Sequence, residues 1–179
     1  MEKVISIVGA GGKTTLVHKL AREYHRRGKG VLVTTTTHMY VEADTDLSCD
    51  FFALRDKIIK DGYCMAGQKI SEQSKPKMCG LPYDLFDRLI KDMPQALDYV
   101  IIEADGAKHH SLKYPAADEP VIYPRTTDVI IVLGTWEKGK LCKDVVFRYE
   151  LMQNELGMAE DVVVDDSVID TLRQVYVNC

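Results

Sequence analysis

The sequence predicts an α/β fold in which a mainly parallel sheet is covered by helices on both faces. Short apolar runs typical of buried strands alternate along the chain with amphipathic stretches that have helical spacing. The runs are apolar throughout, which is typical of strands that are buried on both faces of a parallel sheet. The 179 residues are 46% apolar and 28% charged, as in an ordinary globular domain. We therefore expect a single domain that spans residues 1–179.

Four strands and four helices are predicted with clear boundaries. Each predicted strand is a run of apolar, mostly β-branched residues, and each helix has apolar residues three or four positions apart. Glycines that follow the first and third helices favour helix ends, whereas a proline and an aspartate favour helix starts before the second and fourth. The strands cover 4–8, 31–33, 99–102 and 129–133, and the helices 16–24, 82–93, 145–156 and 168–175.

Residues 41–80 have the weakest pattern in the chain. A helix at 51–59 and a strand or hairpin arm at 62–70 fit the sequence, and 71–80 has the composition of a loop. Because its periodicity is weak, we expect this segment to be the most mobile part of the ligand-free protein. We also expect it to cover a bound ligand or to contact a partner.

Charge and composition exclude several classes of protein. The 23 basic and 27 acidic residues give a net charge of −4, which disfavours binding to the phosphate backbone of a nucleic acid. No apolar run is long enough to span a membrane, and the N-terminus lacks the pattern of a signal peptide. The five cysteines form no C-x-x-C pair. We expect a cytoplasmic protein with reduced thiols.

The first motif that carries chemistry is Gly9-Ala10-Gly11-Gly12-Lys13-Thr14-Thr15, between a predicted strand and a helix. Glycines let backbone N–H groups approach phosphate oxygens, and the helix N-terminus adds a partial positive charge. In such loops the lysine reaches the β- and γ-phosphates and the hydroxyl after it binds Mg²⁺. The common pattern has glycine where this sequence has Ile7, so the loop is shorter. A dinucleotide fingerprint fits less well, because Thr14 replaces its last glycine.

The second motif is the acidic end of the predicted strand at 99–102. Glu103 and Asp105 share one face if the strand continues, and Gly106 fits the acid-x-x-glycine spacing of a γ-phosphate sensor. Paired carboxylates suit Mg²⁺ binding and the activation of water. We predict that Glu103, fixed by the sheet, holds a metal-bound water. We predict that Asp105, at a turn that can move, engages only when a γ-phosphate or substrate is present.

The third motif is Thr34-Thr35-Thr36-Thr37-His38 at the carboxyl end of the second strand. That end of a parallel sheet faces the ligand crevice, so Thr36 and His38 are candidates for contact with a nucleotide. The alternative is that the threonines simply favour a strand.

The fourth motif is the loop Lys108-His109-His110-Ser111-Leu112-Lys113, which follows the acidic strand end. Lys108 or Lys113 could bind an anionic substrate, and Lys108 is a candidate nucleotide contact. Adjacent histidines are more often a solvated pair than metal ligands. We expect Arg148 to be structural and Trp136 to lie in a mobile surface loop.

These motifs together resemble a known family. The segments 7–15, 34–39, 103–108 and 112–120 are similar to the YqeC-like family of accessory proteins for selenium-dependent molybdenum hydroxylases. The resemblance implies a three-layer P-loop NTPase-like fold and a role in the maturation of a molybdenum enzyme. Longer relatives carry a further strand that ends in an Asn-Lys-x-Asp-like segment, which this sequence does not contain. The base therefore stays open between ATP and GTP.

The motifs and the resemblance together predict a Mg²⁺-dependent NTPase. Residues 9–15 would bind the nucleotide, Lys13, Glu103 and Asp105 would be catalytic, and Thr14 would bind the metal with the two acids. The partners would be a nucleoside triphosphate and a client molybdenum enzyme or its cofactor, which the protein would help to deliver or insert. One alternative is a small-molecule kinase or ligase, since the short loop also resembles that of Mur-type ligases. Another is a scaffold that senses nucleotide without turnover.

Overall fold

The structure is a computed structural model that describes residues 1, 3–70 and 75–179. The strands are β1 (Lys3–Gly9), β2 (Val31–Thr35), β3 (His38–Tyr40), β4 (Tyr63–Met65), β5 (Gln68–Lys69), β6 (Lys77–Cys79), β7 (Tyr99–Glu103), β8 (Leu112–Lys113), β9 (Asp128–Val132) and β10 (Val146–Phe147). The helices are α1 (Lys13–Arg26), α2 (Phe51–Asp61), α3 (Tyr83–Asp92), α4 (Cys142–Val145), α5 (Tyr149–Leu156) and α6 (Asp166–Val177), with a short 3₁₀ helix at Thr135–Glu137.

The centre of the molecule is a five-stranded parallel sheet in the order β4-β2-β7-β1-β9. The register pairs Glu103 with Ile7 on one side and with Thr35 on the other. Because the strands are parallel, their carboxyl ends lie along one edge of the sheet. The motifs that follow β1, β2 and β7 are therefore neighbours, although they are far apart in sequence.

Helices cover both faces of this sheet. On β1, Ile5 and Ile7 point to the face covered by α1, whereas Val4 and Val8 point to the face covered by α2 and α3. All four side chains are buried. The arrangement is a three-layer, P-loop-like α/β fold, as the sequence predicts.

Two smaller units flank the central sheet. The strands β3, β6 and β5 form an antiparallel sheet, and β8 pairs in parallel with β10. Helices α4, α5 and α6 enclose a separate apolar cluster. Near the end of α6, Tyr176 packs instead into the main core, so this helix joins the two clusters.

The predicted helix at 145–156 is interrupted. Helix α4 ends at Val145, the next two residues pair with β8, and α5 begins only at Tyr149. Arg148 lies between them in the left-handed region, with φ of 65°. The apolar spacing hid this break, because residues on both sides of it contribute to the same apolar cluster. The predicted ends are correct: Gly157 follows α5, and the Asp165 side chain caps α6 by accepting from the Val168 N–H.

Residues 41–70 and 75–80 contain more regular structure than their sequence indicates. The predicted helix is α2, and β4 is an edge strand of the main sheet. Leu54, Ile58 and Met65 are fully buried in these elements. This burial argues against mobility of α2 and β4, mobility elsewhere in the segment stays a prediction, and residues 71–74 of the predicted loop lie outside the described residues.

The cysteines and the lengths of the helices bear on two expectations from composition. All five cysteines are free thiols. Across residues 1, 3–70 and 75–179, every helix is too short or too polar to cross a lipid bilayer.

The packing of α2 against the core can be tested by mutation. We expect Leu54→Ala to lower the free energy of unfolding by about 2–5 kcal/mol, because it leaves a cavity in the core. Ile59→Ala, on the exposed side of the same helix, should change that free energy by about 0.5 kcal/mol or less. Urea unfolding of both variants measures the difference. Equal small effects would show that α2 is not packed as described.

Candidate functional site

A cleft of about 950 Å³ opens at the carboxyl edge of the central sheet. Residues 11–15 form one wall, residues 106–111 a second and residues 36–40 a third. The volume lies at the upper end of the range typical of small-molecule sites, about 300–1,000 Å³. The cleft therefore unites residues from the four predicted motifs.

The loop between β1 and α1 has a backbone that only glycine adopts easily. Gly9 and Gly11 have φ of 90° and 83°. A Cβ at Gly9 would lie 2.2 Å from the Val132 carbonyl oxygen, and one at Gly11 would lie 2.6 Å from the Ser111 carbonyl oxygen. The loop thus packs directly against neighbouring backbone. Within the part of the chain that the structure describes, no protein group accepts a hydrogen bond from the N–H of Gly11 or Gly12.

Lys13 is a buried cation at the start of α1. Its side chain is 5% exposed, and its ammonium group donates to the carbonyl oxygen of Gly9. Burial lowers the pKa of Lys13, and the charges of Glu103 and Asp105 only partly oppose this effect. Among the described residues no carboxylate lies within ion-pair distance of it. A buried cation beside unpaired N–H groups favours the binding of an anion.

Thr14 and Glu103 meet at the mouth of this loop. The Thr14 hydroxyl donates to Glu103 Oε2 over 2.7 Å. Burial raises the pKa of Glu103, against the opposing effects of the Thr14 hydrogen bond and the charge of Lys13. A hydroxyl beside a carboxylate fits the oxygen ligands of Mg²⁺. No group of three His, Cys, Asp or Glu side chains in the described residues is arranged to hold a metal ion by itself, so a Mg²⁺ ion here would also need phosphate oxygens and water as ligands.

Asp105 lies behind the loop and does not face the cleft. It is fully buried, and its Oδ1 forms an ion pair with Lys113. Its Oδ2 accepts from the Gly9 N–H over 3.1 Å and from the Tyr176 hydroxyl over 2.8 Å. Both carboxylate oxygens are therefore occupied by the protein. We infer a framework role for Asp105, which corrects the prediction of a mobile acid that binds metal or substrate.

Lys113 is the centre of the same buried network. Besides Asp105, its ammonium group contacts the Gly106 carbonyl oxygen and Glu119 Oε2, each at 2.6 Å. It is fully buried and does not line the cleft. The prediction that Lys113 could bind an anionic substrate is therefore wrong in this arrangement.

Glu119 extends the network to the cleft wall. It accepts hydrogen bonds from Lys113 and from Arg148. Arg148 also lines the cleft, and its structural role stays a prediction. Burial alone would raise the pKa of Glu119, but hydrogen bonds from Arg148 and Lys113 outweigh burial and lower it to about 2. Sequence reasoning missed Glu119 and Tyr176 because nothing in their local sequence shows what they contact.

The threonines after β2 have a mainly structural role. The Thr35 hydroxyl donates to the Glu103 carbonyl oxygen over 2.6 Å and accepts from the Thr37 N–H over 2.9 Å. The Thr36 hydroxyl donates to the Val121 carbonyl oxygen over 2.5 Å. The bond from Thr35 holds the end of β2 against β7, and the bond from Thr36 attaches the residues after β2 to the segment that precedes β9. Thr36 and the exposed His38 still line the cleft, and their contact with a nucleotide stays a prediction.

The other predicted residues fall into two groups. Gly106 and Lys108 line the cleft. Gly9 and Ala10 are buried at the start of residues 9–15, the segment called the phosphate loop below because of its predicted role. Trp136, predicted in a surface loop, lines the rim of the cleft from the 3₁₀ helix and is 63% exposed. The structure therefore brings Lys13, Thr14 and Glu103 together in the lining of the cleft.

A comparison with known proteins fits this geometry. A family model described as YqeC protein matches residues 5–150. The chain belongs to the YqeC family. It is 31% identical over 170 residues to a protein of Escherichia coli (strain K12) named "Uncharacterized protein YqeC". That alignment covers 90% of this chain and 63% of the relative, so the chain spans less than two thirds of the relative's length. No solved structure matches the chain.

The buried network of this YqeC family member gives a test of the role of Asp105. Asp105→Asn should lower the free energy of unfolding by up to about 3–5 kcal/mol, because it breaks a fully buried ion pair and leaves Lys113 with Glu119 as its remaining carboxylate partner among the described residues. Asp61→Asn, at an exposed carboxylate, is the control and should have little effect. Combining Asp105→Asn with Lys113→Met should recover part of the loss. Additive losses in urea unfolding would contradict a coupled pair.

Proposed function

We propose that this protein is a Mg²⁺-dependent NTPase that assists the maturation of a selenium-dependent molybdenum hydroxylase. The nucleotide would be ATP or GTP, with its triphosphate on residues 11–15. The maturation role rests on the resemblance to the YqeC-like family. The nucleotide site rests on the geometry of the cleft.

One observation carries the nucleotide site: Lys13 is a buried cation without a carboxylate partner in the described residues. The N–H groups of Gly11 and Gly12 and the first turn of α1 lie beside it. Such a site is incomplete without an anion. A triphosphate provides several adjacent negative oxygens and satisfies these donors together.

The residues around Lys13 divide the chemical tasks. Lys13 would hold the β- and γ-phosphates, and Thr14 with Glu103 would hold Mg²⁺, which neutralises the charge that develops on the phosphates. The N–H of Gly106 would contact the γ-phosphate, and the bond from Lys113 to the Gly106 carbonyl oxygen would help to hold the backbone of this residue in place.

We expect Lys13→Ala to weaken triphosphate binding about 10- to 100-fold, since a charge-assisted hydrogen bond contributes about 1.5–3 kcal/mol. The variant should stay folded, because among the described residues the Lys13 ammonium group of the wild type bonds only to the loop that precedes it. Lys19→Ala, on an exposed position of the same helix, is the matched control. Calorimetric titration of both variants gives the comparison. Equal affinities for the two would end the assignment of the phosphate loop.

We expect Glu103→Gln to remove most of the gain in affinity that Mg²⁺ gives and to lower phosphate release. The change retains a hydrogen-bond acceptor for Thr14 but removes the charge that favours the cation. Titrations with Mg²⁺ and with EDTA measure the first effect, and a phosphate-release assay measures the second. Unchanged Mg²⁺ dependence would exclude Glu103 from the metal site.

A further inference from the structure

One half of the cleft, between β3 and the loop that follows β7, contains two stacked aromatic rings. Tyr40 lies on β3, and His109 lies in the loop that follows β7. Their ring centroids are 6.3 Å apart, and their planes are inclined by only 21°. Lys77 places its ammonium group 5.4 Å from the centre of the Tyr40 ring. Two elements that are remote in sequence thus present nearly parallel rings to one space.

The loop that carries His109 has an unusual backbone. Lys108 and His109 are consecutive, neither is glycine, and their φ angles are 45° and 69°. This left-handed region is uncommon for residues with a Cβ and often marks functional sites. The turn is closed by a hydrogen bond from the His110 N–H to the Ala107 carbonyl oxygen. The fold therefore maintains a strained turn at the wall of the cleft.

The charge in this half of the cleft favours an anion. Lys108 is exposed, with its ammonium group 5.3 Å from the centre of the Phe147 ring and no carboxylate partner in the described residues. Most carboxylates around the cleft are already engaged, and Asp118 is the exception among those described. Glu42 contacts His18 at 3.0 Å, Glu103 accepts from Thr14, and Glu119 binds Lys113 and Arg148.

We propose that this half of the cleft binds a second ligand, a planar ring that carries a phosphate or carboxylate group. The ring would extend the stack that Tyr40 and His109 form, and Lys108 would pair with the anionic group. This proposal deepens the proposed function and rests on it. The two rings follow β2 and β7, on the same side of β1 as Glu103, so the second ligand would lie near the metal and the terminal phosphate.

The test loads the phosphate loop first and then titrates a second ligand. The protein is saturated with Mg²⁺ and a non-hydrolysable ATP or GTP analogue, whichever binds more tightly. The probes are AMP, GMP, CMP and FMN, each a planar ring with a phosphate. Trp136, the single tryptophan, lies at the cleft and reports binding by its fluorescence, with calorimetry for stoichiometry.

We expect at least one probe to bind the loaded protein at one site per chain. Tyr40→Ala and Lys108→Ala should each weaken binding of the probe about tenfold, and Tyr40→Ala should change the affinity for the analogue less than twofold. The control variants Tyr83→Ala and Lys91→Ala, at exposed positions outside the cleft, should not change the affinity for the probe.

Two results would overturn the proposal. The first is that none of the four probes binds the loaded protein. The second is that Tyr40→Ala weakens binding of the nucleotide analogue but not binding of inorganic triphosphate. The two rings would then hold the base of the same nucleotide. If the wild type binds no triphosphate at all, the proposed function fails, and titration of the unloaded protein with the same probes decides the second site separately.

Discussion

Two fully buried charges, Asp105 and Lys113, face each other behind the phosphate loop. Burial of charge is costly, and it is tolerated here because both groups are surrounded by hydrogen-bonding partners. Those partners belong to separate parts of the fold: the start of the loop at Gly9, the peptide at Gly106 and Tyr176 of α6. The pair therefore fixes the loop and the wall of the cleft relative to each other before any ligand arrives.

The same pair also determines the charge of the cleft. Lys113 neutralises Asp105, and Thr14 occupies one oxygen of Glu103, so neither acid forms a direct ion pair with Lys13. Lys13 bonds a carbonyl oxygen instead, and its charge stays available to an anion. An Asp105 without Lys113 would compete for Lys13. The proposed anion site would thus depend on the buried pair of Asp105 and Lys113, neither of which lines the cleft.

The sequence predicts the parts of this site that depend on local structure. The phosphate loop is recognisable because a strand, three glycines, a lysine and a helix follow one another without interruption. The acidic end of β7 is recognisable for the same reason. The role of Asp105 is not, because it depends on Lys113, eight residues away, and on Tyr176, 71 residues away.

The less certain parts of the fold have a similar origin. β4 has only three residues, too few for a periodic pattern, so the sequence leaves 62–70 open between a strand and a hairpin arm, and the pairing with β2 makes β4 a strand. The break before α5 arises because Val146 and Phe147 pair with β8. In both places a non-local hydrogen bond decides the structure. The separation of Tyr40 and His109 in sequence hid their contact for the same reason.

The most direct test of the preformed anion site is calorimetric titration of the wild-type protein with ATP, GTP, CTP and inorganic triphosphate, each with and without Mg²⁺. We expect one site per chain, saturable binding of at least one nucleoside triphosphate, and tighter binding when Mg²⁺ is present. The absence of binding for all four compounds, or an affinity that does not depend on Mg²⁺, would contradict this expectation.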